Sequence, residues 1–197
     1  MASPAAFRSS PLHPNDWVQA ALSRLREQGI DAVRVELLAR DLGVSKGSFY
    51  WHFHDRAALL EALLGLWEAE ELEWLGTAGH DKSAATRWAS FLDRTAEPER
   101  VRTEGALLAW AQNHAEVASR VAAIEEKRLT LIARVLRDIG FALPAAKSWS
   151  EIASLLCLGW QDRMTRGMKI PLSSRGLGDL LSEVILAATA RSSTSIE

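Results

Sequence analysis

The chain has 197 residues, with 23 Lys and Arg against 25 Asp and Glu and one cysteine. A formal charge of −2 excludes a generally basic protein that coats nucleic acid, but not a local DNA-reading surface. A single thiol, Cys157, excludes an intrachain disulfide framework and points to a reducing compartment.

Residues 1–14 contain Pro4, Pro11 and Pro14 among many small residues and read as a mobile arm. They hold no apolar core of signal-peptide length, so export is not expected. Helical periodicity follows almost everywhere, and no convincing period-2 strand does. Trp17, Ala21 and Leu25 make one stripe over about 16–28, with Asn15 or Asp16 as cap and Gly29 as stop. Val35, Leu38, Ala39 and Leu42 make a second, stopped by Gly43. A third short helix starts after Ser45 and carries Phe49 and Phe53. Asp55 then caps a longer helix to about Leu75. After a loop at 76–82, helices are expected at about 83–96, 99–114, 116–139, 145–168 and 174–191. Pro98, Gly140, Pro144 and Pro171 supply the breaks. The fold class is therefore all-α with about nine helices. The expected divisions are an arm over 1–14, a three-helix helix-turn-helix domain over 15–60 with its motif at about 34–53, a helical domain over 61–191, and a tail over 192–197.

Residues 33–56, VRVELLARDLGVSKGSFYWHFHDR, carry most information. Gly43 can adopt the left-handed conformation that ends a helix, and Ser45 can cap the next with its hydroxyl. Two short helices meeting at such a turn make a helix-turn-helix, whose second helix can enter a major groove. Phe49 and Phe53 face inward. Lys46, Gly47, Ser48, Tyr50, Trp51 and His52 face outward, as donors, a small residue and two aromatics suited to bases and phosphates. No acidic residue lies between Val44 and His54. From pattern alone, DNA reading and plain packing stand level.

The run from Asp16 to about Leu64 resembles the N-terminal domain of the tetracycline-repressor (TetR) family of bacterial transcription regulators. The resemblance rests on Leu38, Ala39, Gly43, Val44, Ser45, Gly47, Phe49, Tyr50, His52, Phe53, Arg56, Leu59 and Leu60. It implies that Lys46, Ser48, Trp51 and His52 lie at base edges and phosphates, with Ser45 and Gly47 in the same DNA-binding turn. It implies that Tyr50 gives its hydroxyl to a phosphate and that Arg56 holds the DNA backbone. The family often opens its second helix with Thr or Ser. Here Val33 and Arg34 stand there, and Arg34 can reach a phosphate but cannot cap.

The C-terminal two-thirds carry no motif. The last two helices have long apolar faces, including Ile152 and Leu156 on one and Leu177, Leu181 and Val184 on the other. In the resembling family such helices pair across a two-fold axis, so these five residues are the expected homodimer seam. Trp88, Phe91, Trp110, His114, Trp160 and Met164 are the candidate lining of an effector pocket, which implies a small, mainly apolar ligand; plain core is the alternative for each Trp, and a helix cap or surface place for His114. The run Glu68, Glu70, Glu71 and Glu73 reads as a solvated helix face.

No P-loop, G-x-S-x-G or H-E-x-x-H is present. Cys157 sits in an apolar run as inert core, and His52 and His54 are spaced wrongly for a helical metal site. No enzyme activity, cofactor or metal is expected. No apolar run approaches the roughly 18 residues of a membrane span. The resulting expectation is a cytoplasmic, homodimeric repressor released from double-stranded operator DNA by a small effector. The alternative is a helical interaction module that never touches DNA.

Overall fold

The computed structural model describes residues 12–78 and 83–194. The expected arm lies outside these residues as far as position 11. Among the described residues the chain is all-helical: α1 (Pro14–Gln28), a 3₁₀ turn (Ile30–Ala32), α2 (Val35–Leu42), α3 (Lys46–Tyr50), α4 (Arg56–Thr77), α5 (Ala84–Thr95), α6 (Pro98–Ala111), α7 (Ala115–Ile139), α8 (Leu143–Thr165) and α9 (Ser174–Thr194).

Several ends differ from expectation: α6 stops at Ala111 rather than at about 114, and α8 runs Leu143–Thr165 rather than about 145–168. Helix α1 starts at Pro14, which fills the first helical position where no N–H is needed. His13, not Asn15 or Asp16, holds the cap position, and the Asp16 carboxylate accepts the His13 N–H at 2.7 Å. Helix α9 continues through Thr194, into the expected tail. Elsewhere the breaks fall where the residues require them. Gly43 closes α2 at φ 69°, ψ 33°, a conformation that costs a residue with Cβ. Asp55 caps α4 by accepting the Ala58 N–H at 2.8 Å.

The described core divides into two clusters. The first joins Trp17, Leu25, Leu38, Phe49, Leu59 and Trp67 to Leu107, Trp110, Val117 and Ile124. Thus α1 and α4 pack not only on the short helices but on α6 and α7. The second cluster holds Trp88, Phe91, Leu131, Leu136, Cys157, Trp160, Leu181 and Ile185 from α5, α7, α8 and α9. Helix α4 spans both. Leu59 and Leu63 lie in the first cluster, and Trp74 and Leu75 pack against the second. A boundary at residue 60 would fall inside that helix.

Candidate DNA-binding surface

The α2–α3 turn closes when the Val44 N–H donates to the Ala39 carbonyl at 2.9 Å across Gly43. Phe49 anchors α3 to the core. It is fully buried, meets Trp17 edge-on at 5.2 Å between centroids, and stacks on Phe53 at 5.6 Å. Helix α3 is one turn longer in effect than Tyr50 suggests, because the Phe53 N–H donates to the Phe49 carbonyl at 3.0 Å. Burying this face turns the opposite face outward. Ser45, Lys46, Gly47, Tyr50 and Trp51 are exposed, and Ser48 and His52 half-buried. Trp51 is 88% exposed, an unusual position for an indole with no partner of its own to cover it.

Several expected contacts are engaged within the chain. Lys46 Nζ lies 2.6 Å from Glu36 Oε1 on α2, and this hydrogen bond holds the Glu36 carboxyl below its ordinary range. The Arg56 guanidinium donates to the carbonyls of Val33 at 2.6 Å and Ile30 at 2.8 Å. It clamps the turn before α2 onto the start of α4, a role the sequence did not suggest. The Ser45 hydroxyl makes no capping bond, contrary to expectation, and so stays available to another acceptor or donor. Arg34 occupies the cap position of α2, is exposed, and supplies no side-chain cap. Asp41 on α2 receives the Arg24 Nη2 of α1 at 2.8 Å, fixing α2 against the domain.

The expected effector residues do not converge. Trp110 belongs to the first core cluster, whereas Trp88, Phe91 and Trp160 belong to the second. Met164 is 47% exposed, and His114 sits exposed at the cap position of α7, its Nδ1 3.1 Å from the Trp110 carbonyl oxygen. Trp88 and Trp160 instead donate their indole N–H groups to Ser182 Oγ and to the Leu172 carbonyl, both at 3.0 Å. The cavity beside Phe91 and Cys157 is about 20 Å³, room for little more than a water molecule. Burial there pushes the Cys157 thiol up to about 11, in keeping with an inert core thiol.

Charge fills the space where aromatics were expected. Glu71, read from sequence as solvated, is 3% exposed and takes guanidinium contacts from Arg94, Arg100 and Arg128. Arg128 also donates to Glu104 at 2.7 Å and, more weakly, to Glu125 at 3.4 Å, which accepts the Ser154 hydroxyl. Burial acts to raise the Glu71 carboxyl, but attraction by Arg100 and Arg128 wins and holds it below its ordinary range. Glu68 is likewise engaged, by Arg120 at 2.7 Å.

On α8 and α9 the apolar residues separate by face. Leu177 and Leu181 are buried in the chain's own core. Ile152, Leu155, Leu156, Leu180 and Val184 are each at least 41% exposed. Among the described residues no helix is long and apolar enough to cross a membrane, and no cluster of His, Cys, Asp or Glu has the geometry for a metal ion.

A helix-turn-helix held by an aromatic core, with a polar and aromatic outer face, mounted on a helical body, defines the class. Residues 18–63 match the family described as bacterial regulatory proteins, tetR family, so the chain carries a domain of that family. The tetracycline repressor of class A from transposon 1721 of Escherichia coli is 39% identical over 84 residues, which are 41% of this chain and 35% of that protein. The class C repressor of Escherichia coli is 33% identical over 131 residues, 64% of this chain and 53% of that protein. The matched stretch thus spans about a third to a half of these relatives. A transcriptional regulator of Rhodococcus sp. Rha1 superposes with a TM-score of 0.67 over 92% of this chain and 97% of its own, at 18% identity, which shows a common fold.

Proposed function

We propose that the protein is a sequence-specific, DNA-binding transcriptional regulator that acts in the cytoplasm as a homodimer and leaves its operator when a small molecule binds the helical body. The observation that carries this reading is the acid-free outer face of α3, where Trp51 and Tyr50 stand exposed beside Lys46 and Ser48. These groups can stack on bases, touch a thymine methyl and donate to phosphates. The alternative of a helical interaction module leaves that composition without a purpose.

Dimerisation supports two recognition helices on one duplex. The exposed residues Ile152, Leu155 and Leu156 of α8 with Leu180 and Val184 of α9 suit such a seam. Leu177 and Leu181 support it from within the core. For the effector, the cavities of about 830, 460 and 290 Å³ carry several charged side chains each and none of Trp88, Trp110 and Trp160, so a polar occupant is favoured over a mainly apolar one.

The test is a mobility-shift titration with the protein's own upstream DNA, wild type beside Trp51→Ala. Saturable, competitor-resistant binding that the substitution abolishes is expected. Equal affinity for unrelated DNA in both proteins would refute the reading.

A further inference from the structure

Arg94 separates two cavities. One, about 830 Å³, lies between α5 and α9 and is lined by Leu92, Asp93, Arg94, Glu97, Asp179 and Ser182 among others. The other, about 290 Å³, lies between α1, α4 and α6 and includes Trp67, Glu70, Glu71, Arg94, Glu97 and Glu104. The described residues around the two cavities carry seven carboxylates against four guanidiniums, Arg94 included. The Arg94 guanidinium sits 5.3 Å from the centre of the Trp74 ring, with Glu71 at 3.3 Å and Glu97 at 3.7 Å.

An indole face flanked by two carboxylates is a cation site. Its present occupant is loosely held. Arg94 keeps 26% of its side chain exposed, against 10% for Arg100 and 6% for Arg128. Its ion-pair distances are longer than the 2.9 Å that joins Arg128 to Glu71. Withdrawing Arg94 would leave Glu71 paired by Arg100 and Arg128, so departure strands no buried carboxylate.

We propose that this seat binds an organic cation, an amine or quaternary ammonium of small to moderate size, and that Arg94 is a built-in occupant which the ligand displaces. The proposal rests on the regulator reading above and names its effector class. Displacing Arg94 joins the two cavities and exchanges a tether between α4 and α5 for the ligand. Two of the contacts, Glu71 and Trp74, stand on α4, whose other end carries Arg56 and Leu59 of the helix-turn-helix domain. An occupant that favours one pose of α4 shifts the spacing of the recognition helices by its difference in affinity for the two poses.

The experiment is calorimetric titration of the full chain, without DNA, using benzyltrimethylammonium, 3-phenylpropan-1-ol and 3-phenylpropionate as cationic, neutral and anionic probes. The cation should bind and the other two should not. Arg94→Ala should bind the cation about tenfold more tightly, since its competitor for the indole and carboxylates is gone. Glu97→Gln in that background should weaken it about threefold, and Trp74→Leu should weaken it about tenfold. Melting curves, with Arg94→Gln as a milder second variant, confirm that each protein is folded. The proposal is overturned if the alcohol or the carboxylate binds as well as the cation. It is equally overturned if neither wild type nor Arg94→Ala binds the cation, or if removing Arg94 does not tighten binding. Operator binding by the unliganded protein is scored separately, so failure of the cation site is distinguishable from failure of the regulator reading.

Discussion

Arg56 Nε donates to the carbonyl oxygen of Val33 at 2.6 Å, so the first residue of α4 grips the chain just ahead of α2. With the bond to Ile30, the guanidinium satisfies two carbonyls in the turn Ile30–Val33. Two charge-assisted bonds of this kind contribute about 1–3 kcal/mol together. Arg56→Ala should therefore lower the melting temperature and weaken binding to every DNA sequence alike. A clamp and a phosphate contact differ in the salt dependence. Loss of a phosphate contact lowers the slope of log affinity against log salt by about one unit, whereas loss of a clamp leaves it unchanged. An unchanged slope with a lower melting temperature is expected.

The ion pair between Lys46 and Glu36 competes with DNA for the lysine. Both side chains are more than half exposed, so the pair adds little to stability. Glu36→Gln should leave the melting temperature within about 1 °C and tighten operator binding. Its salt slope should steepen by up to about one unit, because a released lysine neutralises a further phosphate. Trp51→Ala should be equally harmless to the fold, given the indole's exposure, but should cost roughly 1–3 kcal/mol of operator affinity. Melting curves beside fluorescence-anisotropy titrations check both; early melting of Trp51→Ala would mean the indole is structural.

The helix-turn-helix was legible because its signals are local. Gly43 sits where the chain needs positive φ, and Phe49 and Phe53 are one helical turn apart on a face that must be buried. The body was legible only as helices. Glu71 follows Leu64 and Trp67 in the inward stripe of α4, and Arg128 follows Val121 and Ile124 in that of α7. Each is a charge at a position where the period demands an apolar residue. A carboxylate in a row of other carboxylates looked solvated, yet its partners lie 23, 29 and 57 residues away in sequence. Periodicity places a residue on a face, but does not say which distant charge meets it. The same limit applies to Trp110, whose helical position was evident but whose membership of the first core cluster depends on how α1 lies across α6.

Placement of the apolar residues on α8 and α9 predicts two different outcomes for introduced charges. Leu155→Glu and Val184→Glu introduce carboxylates on exposed faces, 69% and 43% open in the single chain. Each should fold, run as a monomer in light scattering at micromolar concentration, and lose operator binding, because one recognition helix forfeits half the contacts. Leu181→Glu puts the charge at a position only 3% exposed and should instead destabilise the body by several kcal/mol, about the cost of an unpaired buried carboxylate. Both exposed-face variants remaining dimeric would move the seam elsewhere.

Glu71 meets three guanidiniums, those of Arg94, Arg100 and Arg128, and its removal should be felt in a pH-dependent way. Arg100 and Arg128 are 10% and 6% exposed, and both direct a guanidinium at this carboxylate. Glu71→Gln leaves those cations short of one counter-charge, a loss of about 3–5 kcal/mol for a broken buried pair. Because the folded carboxyl titrates below its ordinary range, its contribution is complete above the unfolded value near pH 4.3 and fades as pH falls through the folded value. Urea unfolding of wild type and Glu71→Gln should therefore show a full stability gap at pH 7 that narrows steadily below about pH 4. Replacing Glu71 by Leu together with Arg128 by Met should cost less than Glu71→Gln alone, since it removes a desolvated charge along with its partner. A gap of the same size at pH 3 and pH 7 would mean that Glu71 acts through packing and not through its charge.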